Sequence, residues 1–458
     1  MSAYTPHTPG DVAAMLSAIG VGSIDDLVAH VPAHLRERAR IGLAPGLTEP
    51  DLRRALGDLA AKNEVVTEGA TFVGAGAYPH LAPGVVNQIL LRSEFATAYT
   101  PYQPEVSQGT LQSIFEFQTF AALILGLDVA NASMYDGASA TAEAVLMARR
   151  LVPGRSTVLV SRGVHPHYRE TLATYVQGLA DVRLREVPLD ADGRTDMAAL
   201  AGLIGPDTMC VVLGYPNVLG VVENVAAAAT AVHAAGGLAI TATPEPLALA
   251  YVRSPGGCGV DIAVAEGQSF GLPVSYGGPG VGLFATRDAH VRAMPGRIVG
   301  ETVDAQGRRG YVLTLATREQ HIRRQRATSN ICTNQGLCAL AVTVYLSMLG
   351  RDGLRRLAET NYRRAHAVAA RLEAVGVPRV GSAPFFNEFV VRAPGAARAW
   401  EQIVARDGIV PGYPLARWLP EYMDTLLVCV TEVHDDPAVE RLVRTLTPAG
   451  PAARAQAG

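Results

Sequence analysis

The stretch DIAVAEGQSFGLPVSYGGPGVGLFAT, Asp261 to Thr286, sets two short apolar runs on either side of a glycine- and proline-rich connection. DIAVAE and VGLFAT are too short for helices and carry no polar alternation, the pattern of strands covered on both faces. Upstream the same rhythm continues. STVLVSR is followed by helical PHYRETLATYVQGL, then come DVRLREVPL, TMCVVLGY, alanine-rich VAAAATAVHAAG and LAITAT. Strand-like runs alternating with helical stretches from about Lys62 to Gly310 predict an α/β fold, a mostly parallel sheet with helices on both faces.

The flanks read differently. Residues 8 to 60 carry apolar positions at helical spacing in SAIGVGSIDDLVAHV, and LTEPDLRRALGDLAAK places Thr48 as a helix N-cap with acids in the first turn. Beyond Arg318, QGLCALAVTVYLSMLGRDGLRRLAETNYRRAHAVAARLEAVG is a long helical region that leads into FNEFVVRA and TLLVCVTE, strands of a smaller α/β part. The expected organisation is a helical segment over 1–60, a large α/β domain over 61–325, a small one over 326–445 and a disordered tail over 446–458.

With 458 residues, 49% of them hydrophobic and 18% charged, and a net charge of −3, the chain has material for a large core and no electrostatic reason to bind nucleic acid or an anionic membrane. The start, MSAYTPHTPGDV, lacks the basic and apolar segments of a secretory signal, which argues for the cytoplasm. The 5 cysteines, Cys210, Cys258, Cys332, Cys338 and Cys429, show no CxxC spacing and imply neither a disulfide framework nor a zinc site. Of the 39 Lys plus Arg residues only Lys62 is a lysine. Arginine stays protonated and forms no Schiff base, so any imine chemistry on this chain would rest on Lys62 alone.

Asp261 to Leu337, together with FVGAGAYPHLAPGVV, TAYTPYQPEVSQGTLQSIFEFQT and MYDGASATAEA, resembles glycine decarboxylase, the P-protein of the glycine cleavage system, in the alpha subunit of its split form. The resemblance covers residues 60 to 340. It implies a fold-type-I pyridoxal-phosphate architecture in which the catalytic subunit carries H-K-T-F-x-x-P followed by G-G-P-G. Here that frame reads Gly267, Gln268, Ser269, Phe270, Pro273 and Gly277 to Gly280, with Gln268 on the lysine position. A primary amide has no free amine lone pair for an imine. The aspartate that such folds set against the pyridine nitrogen would fall near Thr243, which carries no charge, with Glu245 close by.

Four further groups of residues have two readings each. Gly137 and Ser139 in YDGASATAEA form either a phosphate cradle at a helix start or a plain N-cap. His165 and His167 either stack on a cofactor ring or are structural. The proline-flanked Tyr99, Thr100, Tyr102, Gln103 and Glu105 either line a neighbour's active site, as the resemblance implies, or form an internal loop. Arg318, Arg323, Arg324 and Arg326 with His321 either bind an anion or an acidic carrier, or make a solvated helical face that pairs with Glu319.

The resemblance implies a non-Schiff-base subunit of glycine dehydrogenase (decarboxylating), in an α2β2 assembly with a paralogous beta subunit that holds pyridoxal phosphate, none being covalently bound to this chain. It further implies that glycine loses CO₂ and its aminomethyl group passes to the lipoyl arm of H-protein. A purely structural or regulatory pseudoenzyme subunit is the alternative. An autonomous pyridoxal-phosphate enzyme lacks its lysine here, and no G-x-G-x-x-G follows a first strand to support a dinucleotide site.

Overall fold

The computed structural model describes residues 6–39, 41–63, 68–331 and 334–448. The tail expected over 446–458 lies, from 449 on, outside the described residues, as does Cys332. The chain divides into a unit from Met1 to Val65 and a unit from Val66 to Gly458. In the first, helices Pro9–Ile19, Ile24–Leu27, Ala33–Arg38 and Glu49–Ala60 bury no residue. Thr48 caps the last of them by accepting from Asp51 N, as its position in the sequence predicts.

The second unit is built on a seven-stranded sheet. Its strands are β1 (Val129–Ala130), β2 (Thr157–Ser161), β3 (Arg183–Val187), β4 (Thr208–Gly214), β5 (Leu238–Thr243), β6 (Ile262–Glu266) and β7 (Gly282–Thr286), in the spatial order β1-β7-β6-β5-β4-β2-β3. Every pair among β2 to β6 is parallel, and β7 runs antiparallel to both of its neighbours. Successive residues of one strand serve two cores. Ala263 and Ala265 join the cluster of Phe117, Val232 and Tyr345, whereas Ile262 and Val264 join that of Val145, Met147 and Leu172. Two-sided burial is the reason β2 and β4 to β7 read as apolar runs, whereas β3, at the sheet edge, is exposed over Arg183 to Glu186.

A hairpin of β8 (Ile298–Val303) and β9 (Arg309–Thr314) follows, not foreseen from the sequence, turned at Asp304 and at Gly307 with φ +79°. The C-terminal sheet comprises β10 (Glu388–Arg392), β11 (Tyr413–Pro414) and β12 (Thr425–Cys429), antiparallel in the order β10-β12-β11. Helix Gly336–Ala374 joins the two sheets and is interrupted at Gly350 (φ 60°, ψ −177°). Before the break, Ala341, Val342 and Tyr345 pack in the large core; after it, Ala365, Val368 and Leu372 pack in the C-terminal one.

Residues 70–81 thread between the sheets. Phe72 N donates to Val410 O (2.8 Å) and Cys429 N to Phe72 O (2.9 Å), so this stretch extends the C-terminal sheet before it turns toward the carboxyl ends of β5 and β6. There Ala75 N donates to Glu388 Oε1 (2.5 Å) and the Tyr78 hydroxyl to Glu388 Oε2 (3.0 Å). His80 lies between Glu245 beyond β5 and Glu432 beyond β12, at 2.9 Å from each. Burial alone would disfavour its imidazolium, but the two carboxylates outweigh burial and hold His80 at about 10. Glu432, against the same burial, is held down at about 2 by His80 and by Leu81 N. Burial lifts Glu388 to about 7, only partly offset by Ala75 N and Tyr78.

Two outcomes follow for stability in urea. Gly350→Ala forces a side chain into a backbone region open to glycine alone and should cost about 1–3 kcal/mol, although a Cβ there would meet nothing. A raised carboxyl contributes stability that is complete below its unfolded value near 4.5 and is lost as pH rises through about 7. Glu388→Gln, which keeps an acceptor for Ala75 N, should therefore flatten the fall in stability across that window. Above it, the His80 contribution, complete below about 6.5, is lost as pH rises through about 10.

Candidate functional site

The carboxyl ends of parallel strands form the crevice where α/β sheets bind ligands. Thr243 closes β5, Gln268 follows β6, His165 follows β2, and the helix Gly137–Leu151 begins against Glu266. The structure thus brings together Gly137, Ser139, His165, Thr243 and Gln268, which the sequence could only name one by one.

The Gln268 side chain is buried and faces the main chain of Tyr78 and Leu272. Its Oε1 accepts from Tyr78 N (2.8 Å), and its Nε2 donates to Tyr78 O (3.1 Å) and Leu272 O (2.8 Å). One amide therefore pairs like a strand residue with Tyr78. It can do so because an amide both donates and accepts, whereas an ammonium only donates.

At the helix start, Gly137 N donates to Glu266 Oε2 (2.9 Å), and Ser139 N to Asp136 Oδ1 (2.6 Å). Glu266 Oε1 also accepts from Val281 N (2.9 Å) and Gln268 N (3.2 Å). The anionic place at this helix N-terminus is taken by the protein's own carboxylates. Burial lifts Glu266 to about 7, although its three backbone donors pull the other way.

Over His165 the space is also filled. Its Nε2 lies 2.9 Å from Ala75 O, and a Cβ on Gly76 would fall 2.8 Å from the same nitrogen, so only glycine passes there. Burial lowers His165 to about 4 and keeps it neutral, and its ring meets Trp418 edge-on at 4.8 Å. The Thr243 hydroxyl is buried with no partner among the described residues. Glu245 is engaged by His80, by Leu247 N (3.0 Å) and by Asn387 Nδ2 (3.4 Å).

Pyridoxal phosphate, the cofactor that the fold family implies, needs an amine for its aldehyde, free donors for its phosphate, an acid at its ring nitrogen and room beside His165. Here the amine is an amide bound to Tyr78, the first helix amide serves Glu266, the nearby acid serves His80, and the room holds Ala75 and Gly76. The residues present do not fit the group.

A second constellation lies around Tyr102. The segment 97–107 forms no strand and holds only a short 3₁₀ turn at Pro104–Val106; Tyr99 is 77% and Tyr102 46% exposed, Gln103 and Glu105 are exposed, and Thr100 is half-buried. Phe95, Tyr99, Thr100, Asn334, Gln335 and Leu337 line a cavity of about 250 Å³ beside it. Buried Arg297, which the sequence reading passed over, donates to the Tyr102 hydroxyl (2.9 Å) and pairs with Glu319 (3.2 Å).

The arginine-rich segment does not form a helical face. The helix is only Gln320–Arg323, and Arg324 departs from it at φ 51°. Arg318 is turned inward onto the carbonyls of Met294, Gly296 and Leu315, and Glu319 pairs with Arg297 rather than with its neighbouring arginines. Arg323, Arg324 and Arg326 stand exposed.

The model of the family "Glycine cleavage system P-protein" matches residues 2–446. A protein of Anaeromyxobacter dehalogenans named probable glycine dehydrogenase (decarboxylating) subunit 1 is 54% identical over 440 residues, 95% of this chain and 98% of that protein. One of the same name from Sorangium cellulosum is 52% identical over 451 residues, 97% of this chain and 98% of that protein. Among solved structures, inhibitor-bound glycine decarboxylase (P-protein) of the glycine cleavage system superposes with a TM-score of 0.89 at 43% identity, covering 97% of this chain and 99% of that one. A NifS-like protein superposes at 0.61 with 12% identity over 82% of this chain and 98% of its own, which is a likeness of fold alone. The chain belongs to the glycine cleavage system P-protein family.

Proposed function

We propose that this chain is the non-Schiff-base subunit of a cytoplasmic glycine dehydrogenase (decarboxylating). It works with a paralogous beta subunit, in an α2β2 assembly, on pyridoxal phosphate held by that partner. The observation that carries this reading is Gln268, an amide in the lysine's place whose oxygen and nitrogen are both spent on Tyr78. A chain so built has no imine to offer, and its relatives carry the name subunit 1.

Its contribution is then made at the surface. Tyr99, Thr100, Tyr102, Gln103 and Glu105 complete the wall of the partner's pocket, orient glycine and exclude water so that its carboxylate is desolvated before CO₂ departs. Exposed Arg323, Arg324 and Arg326 face a carrier of opposite charge, the lipoylated H-protein that accepts the aminomethyl group.

Mixing the purified chain with its beta partner tests this. Glycine–CO₂ exchange should be near background with either protein alone and rise at least tenfold with both. Full exchange by the partner alone would instead make this chain a structural or regulatory subunit. Titrated with pyridoxal phosphate, the chain alone should develop no bound-cofactor absorbance. Gln268→Lys should not create one, and it should destabilise the chain by about 2–4 kcal/mol, because it buries an ammonium and leaves Tyr78 N unpaired.

A further inference from the structure

Tyr102 is nearly half exposed, yet its phenol is held from beneath. Arg297, with only 3% of its side chain exposed, donates from Nη2 to Tyr102 Oη at 2.9 Å, and its guanidinium carbon lies 5.2 Å from the centre of the tyrosine ring. Arg297 Nε is 3.2 Å from Glu319 Oε2, itself buried. The His321 ring meets Tyr102 edge-on at 5.2 Å, with Nδ1 3.8 Å from the same Glu319 oxygen. Three segments far apart in sequence, at 102, 297 and 319–321, converge on one guanidinium.

The chemistry of that arrangement is directional. Arginine presents its donors in a rigid fork, so a guanidinium bound to Glu319 through Nε and to Tyr102 through Nη2 fixes both at once, which a lysine's point charge cannot do. A surface tyrosine would otherwise exchange rotamers; here its oxygen accepts from a cation. The phenol keeps its own proton to donate, and polarisation by the guanidinium makes it a better donor toward an anionic oxygen.

We infer that Arg297 is the positioning residue of the shared pocket, fixing the Tyr102 phenol as a donor to a carboxylate-class oxygen of the substrate. This rests on the shared-pocket reading of Tyr99 to Glu105. Glu319 is the counter-charge that keeps Arg297 in place, and it also starts the loop that carries Arg323, Arg324 and Arg326. The wall and the arginine loop therefore hang from one buried ion pair.

The test uses the full chain assembled with its beta partner, comparing Tyr102→Phe, Arg297→Lys, Arg297→Met and the double variant Y102F/R297M in glycine–CO₂ exchange. Tyr102→Phe removes one oxygen and keeps the ring and its packing, so it remains informative if Arg297→Met fails to assemble. The expected result is a loss of roughly ten- to a hundredfold in kcat/KM for Tyr102→Phe, with assembly retained and a small fall in thermal midpoint from the donor left unpaired on Arg297. Arg297→Lys should fall between wild type and Tyr102→Phe, and the double variant should be no worse than the poorer single one. If the wild-type chain stimulates exchange while Tyr102→Phe and Arg297→Lys stay within twofold of it, or if the two losses simply multiply, the inference is overturned and the shared-pocket reading survives. No stimulation by the wild-type chain would overturn both.

Discussion

The second unit depends on how residues 70–81 are gripped between the two sheets. Gln268 pairs with the main chain of Tyr78, Glu388 takes Ala75 N and the Tyr78 hydroxyl, and His80 joins Glu245 to Glu432. Each contact is buried or half-buried, and each pairs a donor with an acceptor, which is the condition for polar groups to be held away from water without a large penalty. A protonated histidine between two carboxylates satisfies that condition with charge as well. Removing any one member would leave another charge or amide unpaired, so the set behaves as one network.

That network also explains what the crevice at the strand ends can no longer do. Fold and position are those of a cofactor site, yet Glu266 occupies the helix N-terminus and Ala75 and Gly76 occupy the space at His165. Internal groups thus stand where a ligand would, Glu266 oxygens on the helix amide and the His80 ring beside Glu245. A site filled in this manner is a rigid support. What stays exposed and chemically varied is the edge that bears Tyr99, Tyr102, His321 and the arginines, anchored by Arg297 and Glu319.

Much of this was legible in the chain. Strands β2, β4, β5, β6 and β7 were plain because both of their faces are buried, which leaves runs with no polar interruption. The β8–β9 hairpin was not, because much of it is exposed and its alternation mixes charge with apolar residues. At the site, Gln268 was visible because the surrounding Phe270, Pro273 and Gly277 to Gly280 form a frame in which one residue is out of place. Arg297 and His80 gave no such signal. Each is a lone residue whose meaning comes from carboxylates far away in sequence, Glu319 for one, Glu245 and Glu432 for the other.

By itself, then, the sequence determined the α/β architecture and, set against the family frame it resembles, a glutamine at the lysine position. Both are local properties: apolar period and turn residues for the first, the identity of a single side chain in a short frame for the second. Only the tertiary structure decided what replaces the lost chemistry. Hydrogen bonds between residues 190 positions apart, as between Gln268 and Tyr78, leave no mark on either neighbourhood. Whether an acid such as Glu245 is free to serve a ligand or is already paired depends on which groups the fold brings within about 3 Å of it. Here that group is the imidazolium of His80.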